Sequence, residues 1–148
     1  MPQWNKALVH HSAGADGVVS DFEAIKRQHV DVNGWQNIGY HALIERVGSE
    51  IVDRDGRPEW INGSHCPGQN AVALGVCLVG NFEVESVGER MIEALVSRLT
   101  RWCVHYRISP SHIFGHRDLR STLCPGENLY VLLPSLRSQV HERVDSLR

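Results

Sequence analysis

Four short strings carry the side chains of this chain that can do chemistry. They are Val9-His10-His11-Ser12-Ala13-Gly14, Ile38-Gly39-Tyr40-His41-Ala42, the segment from Gly75 to Phe82, and Gly115-His116-Arg117-Asp118-Leu119 running on to Thr122-Leu123-Cys124-Pro125-Gly126. Nine histidines in 148 residues are the unusual feature of the composition. His10 closes an apolar run that reads as a strand, and strand ends are where ligand groups converge. His116 and Cys124 stand eight residues apart across a loop punctuated by Gly and Pro. Two imidazoles and a thiolate are a suitable donor set for Zn²⁺, and three protein ligands leave a fourth position open for water. Spacing alone makes this a weak signal.

The elements that must position these groups follow from the apolar pattern. Lys6–His10 predicts a short buried strand. Ser20-Asp21-Phe22-Glu23 has the form of a capping box, with a helical face on Phe22, Ile25, Lys26, His29 and Val30 that stops near Asn33-Gly34. Gly39–Glu45 and the region around Ile51-Val52 read as strands, with Asp55-Gly56 as a turn. Ala71–Val79 is nearly continuous in apolar residues, the pattern of a central strand covered on both faces. A second capping box, Ser86 to Glu89, opens the clearest helix, whose stripe is Ile92, Leu95, Val96, Leu99, Trp102, Cys103 and Tyr106. Ile113-Phe114 predicts a last short strand. Leu129, Leu132, Leu133, Leu136, Val140 and Val144 predict a terminal helix that starts in earnest at Pro134. The fold class is α/β, a mixed central sheet flanked by about three helices, in one domain over residues 1–148.

Composition excludes several classes of function. With 15 basic and 17 acidic residues the formal net charge is −2, which gives no broad footprint for nucleic acid or for an anionic membrane. The longest apolar run, Ala71 to Gly80, is ten residues and too short to span a bilayer. No basic segment followed by an apolar one opens the chain, so the expectation is synthesis in the cytoplasm without a signal peptide. Four cysteines permit two disulfides, yet a chain of this size without a secretion signal is expected to keep them as thiols. Asp53-Arg54-Asp55-Gly56 begins like a calcium loop and lacks the rest of that pattern.

Taken in order, the four strings resemble the type 2 N-acetylmuramoyl-L-alanine amidases, the superfamily that includes the peptidoglycan recognition proteins. Within it they look most like the amidase endolysins of the T-odd coliphages. The resemblance runs from about Leu8 to Pro125. It implies that His10, His116 and Cys124 bind one zinc ion, at the bottom of an open groove on a mixed sheet. It also implies that Tyr40 is a catalytic partner beside the metal. The residue two before the ligand cysteine is Lys in the phage enzymes and Thr in many recognition-protein amidases; here it is Thr122. Relatives that recycle wall fragments use Asp as third ligand and place a Glu in the central strand. Cys124 and Cys77 stand at those positions here, which points away from that branch.

The implied reaction is hydrolysis of the amide between the lactyl group of N-acetylmuramic acid and L-alanine. Zinc would activate water at neutral pH and polarise the scissile carbonyl. Attack creates an oxyanion that needs a donor, for which Tyr40 is the candidate, with Thr122 able to give one neutral hydrogen bond. His65, in a loop that borders the substrate groove in the family, and Trp35 are candidates for binding substrate; Trp35 and Trp60 lie on no helical stripe and could line the groove, with partial burial as the plainer reading. His11 and His41 read as supporting or packing residues, because neighbours on a strand point to opposite faces. Asp118 is a candidate orienter of His116. The expected partner is peptidoglycan, met by a monomer after release from the cell, as for an endolysin. A module that binds peptidoglycan without cutting it, and a regulatory protein that binds a partner, are the competing functions. A zinc nucleobase deaminase is excluded, because Cys124 precedes Pro125 and no second Cys follows.

Overall fold

The computed structural model describes residues 3–13, 22–27 and 38–147. Five strands form one sheet: β1 (Lys6–His11), β2 (Ala42–Val47), β3 (Glu50–Asp55), β4 (Ala73–Leu78) and β5 (Ile113–Gly115). Their order is β3-β2-β4-β1-β5, parallel throughout except for β3, which returns antiparallel to β2 along one edge. This is the expected mixed α/β sheet. All six residues of β4 are buried, as its unbroken apolar run predicts.

Side-chain alternation along β1 separates two faces. Ala7 and Val9 join the large core under the helices, whereas Leu8 packs with Cys66 and Ala73 on the opposite face. The first face is covered by α2 (Glu89–Tyr106) and α4 (Leu133–Ser146), with a single-turn helix, α3 (Glu127–Tyr130), between them in sequence. Leu95, Leu99 and Trp102 of α2 are wholly buried there, as are Leu129 of α3 and Val140 of α4. Truncation of one such side chain to Ala costs about 2–5 kcal/mol. The second face carries α1 (Phe22–Arg27), whose Phe22 and Ile25 pack on Ile38, Leu43, Cys77 and Val79. The rest of that face is left to the polar strings.

Several expectations change in detail. The strand expected from Gly39 starts at Ala42, and residues 39–41 form a bend before it, so Tyr40 and His41 are not strand residues. The helix expected to be capped from Ser86 has Gly88 at its N-cap and no side-chain cap bond. A break at residues 131–132 separates α3 from α4, and Pro134 sits in the first turn of α4, where its missing N–H costs nothing. Ser20, His29, Val30, Asn33, Gly34 and Trp35 lie outside the described residues. Among the described residues no helix is long and apolar enough to cross a membrane. All four cysteines are free thiols, and Cys66, Cys77 and Cys103 are buried.

Candidate metal centre

His10 is the penultimate residue of β1, and His116 is the first residue beyond β5, the strand paired beside it. Both therefore sit at the carboxyl ends of adjacent parallel strands, where ligand sites form in such sheets. Their ring centroids are 4.5 Å apart. The loop after His116 brings Cys124 to the same point, and one donor atom from each of His10, His116 and Cys124 lies within 4.8 Å of the others. Cys124 Sγ is 3.7 Å from His10 Nδ1. Ordinary Zn–N and Zn–S bonds at a tetrahedral angle put such a pair about 3.6 Å apart.

The Cys124 loop is held from several sides. Arg117 donates its peptide N–H to the Cys124 carbonyl at 2.9 Å and its guanidinium to the Leu123 carbonyl. The same guanidinium pairs with Glu83 at 2.8 Å and Glu127 at 2.6 Å. Gly126, at φ +90°, lets the loop lie against residues 82–83, since a Cβ there would come within 2.5 Å of the Phe82 carbonyl carbon. Thr122 is exposed, and its Oγ1 accepts the Cys124 N–H at 3.2 Å. Asp118 accepts the Gly115 N–H at 2.9 Å and the Tyr130 hydroxyl, so it braces the backbone that leads into His116.

Electrostatics suit a cation. Burial pushes the pKa of His10 well down, and that of His116 down, so both rings are neutral with a lone pair to offer. Burial pushes the Cys124 thiol up to about 11, against the peptide N–H of His11 and the nearby Arg117, which favour the thiolate. That N–H donates to Cys124 Sγ at 3.3 Å. Two neutral imidazoles and a thiol already met by a donor fit a dication, whose charge would reverse the penalty on the thiolate.

Tyr40 reaches the cluster from the bend before β2, its ring 5.1 Å from that of His10. Burial raises its phenol pKa well above normal, and the neighbouring Cys77 and Cys124 raise it further. Tyr40 is therefore a proton donor at neutral pH and not a base. His11 points the other way, as alternation requires, and its Nδ1 accepts the Phe82 N–H at 3.2 Å. His41 accepts the Gly75 N–H at Nδ1 and meets the Ile61 carbonyl at Nε2, which makes it a supporting residue as expected.

The structure places two of the substrate candidates. His65 is 8% exposed and lies beneath the cluster, its Nδ1 2.9 Å from His10 Nε2 and its Nε2 2.9 Å from the Ala73 carbonyl. Both ring nitrogens meet partners inside the protein. Trp60 is 63% exposed and lines a cavity with His41, Arg101, His105 and Tyr106 near the end of α2. Trp35 falls outside the described residues. His112 precedes His116 by four residues, yet β5 separates them, and its ring meets the Asn5 carbonyl. Arg117 supports the Cys124 loop and Asn70 the backbone at His65, yet an Arg flanked by a loop and an Asn within one carry no periodic signal.

A mixed five-stranded sheet with two histidines and a cysteine gathered at the carboxyl ends of its strands defines the class of protein, and comparison supplies the family. The family model described as N-acetylmuramoyl-L-alanine amidase matches residues 2–127, and the chain belongs to that family. It is similar to Peptidoglycan-recognition protein SC2 of Drosophila melanogaster, 29% identical over 130 residues that span 84% of this chain and 69% of that protein. Among solved structures it resembles N-acetylmuramoyl-L-alanine amidase LysC from Clostridium intestinale, with 29% identity, a TM-score of 0.79, and coverage of 94% of this chain and 86% of that one. It also resembles the ectodomain complex of the peptidoglycan recognition proteins LCa and LCx bound to tracheal cytotoxin, with 26% identity, a TM-score of 0.77, and 90% and 82% coverage.

Proposed function

We propose that this chain is a zinc-dependent amidase that hydrolyses the bond between N-acetylmuramic acid and L-alanine in peptidoglycan, in an endolysin-like role. The observation that carries the reading is the convergence of His10, His116 and Cys124 beside Tyr40. When bound, zinc supplies a Lewis acid for the scissile carbonyl and activates water near neutral pH. The chain's own residues do the rest. His10, His116 and Cys124 hold the ion, and the His11 N–H steadies the thiolate. Tyr40, protonated at neutral pH, gives its hydroxyl hydrogen bond to the oxygen that gains charge. Thr122 uses its Oγ1 to support Cys124 and keeps one O–H proton to donate, a neutral bond weaker than the charge-assisted one a lysine would make. The family membership and the likeness to LysC support this reading.

The test is mass spectrometry of purified peptidoglycan digested by the zinc-loaded protein, with and without a chelator. New free L-alanine amino groups beside intact glycan strands, abolished by the chelator, are expected. Zinc bound without such products would sink the enzyme reading in favour of a module that binds peptidoglycan and leaves it intact.

A further inference from the structure

We propose that His65 is the positioning residue of this centre: it accepts the Nε2 proton of His10 and so presents the bare Nδ1 of His10 to the metal. The inference deepens the metal reading above and rests on it. The Ala73 carbonyl has no proton to give, so at 2.9 Å from it His65 Nε2 must donate. The ring is buried against the Ala73 carbonyl, the Gly75 backbone and His10, with no carboxylate among these contacts to pair with a second proton, so its other nitrogen, Nδ1, carries none. Nδ1 lies 2.9 Å from His10 Nε2 and can only accept. His10 Nε2 therefore supplies the proton of this bond. The lone pair left over is on Nδ1, the atom 3.7 Å from Cys124 Sγ. The chain of bonds has one direction, because it starts at a carbonyl.

The fold fastens His65 in that orientation. Asn70 Oδ1 accepts the peptide N–H of both His65 and Cys66, at 2.9 and 3.0 Å, and the Ser64 N–H donates to the Gly39 carbonyl at 3.0 Å. The ring lies against the backbone of β4 at Gly75, where a Cβ would come within 2.7 Å of it. His65 stands 55 residues from His10, and neither ring nitrogen reaches solvent-facing chemistry. Partners of this kind, behind a ligating histidine, commonly govern metal affinity by 10–100-fold, in round terms about two decades at most.

The experiment compares wild type with His65→Leu, which removes the acceptor, and His65→Asn, whose Oδ1 keeps one near the place of Nδ1. Zinc dissociation constants are read by competition with a chelator, and the proton on the His10 ring is located from ring ¹⁵N spectra of the metal-free protein. The expected result is a proton on Nε2 in wild type, roughly 10–100-fold weaker zinc binding in His65→Leu, and recovery of most of that loss in His65→Asn. Zinc affinity unchanged in His65→Leu, or a wild-type His10 protonated on Nδ1, overturns the proposal. So does His65→Asn binding as weakly as His65→Leu, which would reduce His65 to packing. If His65→Leu does not fold, the wild-type spectrum and the Asn variant decide. A chain that binds zinc through this device and cuts nothing refutes the amidase reading alone. A chain that cuts peptidoglycan while His65→Leu binds zinc normally refutes this inference alone.

Discussion

On the helix-covered side of the sheet, Arg98 of α2 lies buried among carboxylates. It forks onto Asp53 at 2.6 and 2.9 Å, reaches Asp55 at 2.9 Å and Glu59 at 3.4 Å, and ties the helix to the edge strand β3. Glu59 in turn accepts the Trp102 indole N–H at 2.8 Å and the Tyr106 hydroxyl at 2.7 Å. On the other side, His10, His41 and His65 are buried just as deeply, but they meet carbonyls, amides and one another. The first network closes on itself, since each carboxylate named accepts from Arg98 and Glu59 also accepts from Trp102 and Tyr106. The second is open at one end, where the lone pairs of His10 and His116 and the Cys124 thiol face each other. A polar network that ends on unspent donors of one kind marks a site, and one that ends on ion pairs marks a joint.

Breaking each network separately tests that distinction. The largest effect expected is from Cys124→Ser, which removes the soft donor. Amide cleavage should fall by about 10³-fold, while the thermal midpoint of the metal-free protein moves by only about 2 °C. An equal loss of stability would mean that the two networks do the same job. Trp102→Ala strikes the closed side, with an expected loss of about 3–5 kcal/mol in urea unfolding, because it opens a cavity and takes a donor from Glu59. Zinc affinity of the fraction that remains folded should not change. Tyr40→Phe should leave stability and zinc affinity alone and lower kcat by about 10²-fold, the usual cost of one oxyanion donor. A shift confined to KM would assign Tyr40 to substrate binding instead.

Acid supplies the smallest and most graded test. Burial lowers the pKa of His41 to about 4, against 6.5 when it is exposed. The unfolded chain then takes up the proton first, so the stability from this group is complete above pH 6.5 and is lost as pH falls towards 4. The slope is at most about 1.4 kcal/mol per pH unit for one such group. In His41→Phe, urea midpoints followed from pH 7 to pH 4 should fall less steeply than in wild type, although the variant starts lower for want of two hydrogen bonds. An unchanged slope would show that His41 does not titrate in this range.

Much of the site was legible because each part lies inside a short string. Val9-His10-His11 is an apolar run closed by a polar residue, and Gly115-His116 to Pro125 is a loop that Gly and Pro announce. Resemblance then joined strings that spacing could not join. The helix stripe from Leu95 to Cys103 was legible for a simpler reason, that a period of 3.6 is written in the apolar residues themselves. What failed was local chemistry outvoted by packing. Ser86 to Glu89 has the letters of a capping box, yet Gly88 takes the N-cap. His65 has the polar neighbours of a surface loop, yet Asn70 folds that loop inward and buries the ring.

By itself, then, the sequence determined the mixed sheet, the buried β4, the long helix α2 and the residue types gathered for a metal, because periodicity and punctuation act over a few residues and are visible there. Only the tertiary structure decided that His65 stands behind His10, that Trp60 shares a cavity with the end of α2, and that Arg117 tethers the Cys124 loop. Those are contacts between segments tens of residues apart, set by strand order and by which polar groups the closed core leaves without water, and buried polar groups must find partners wherever the chain brings them.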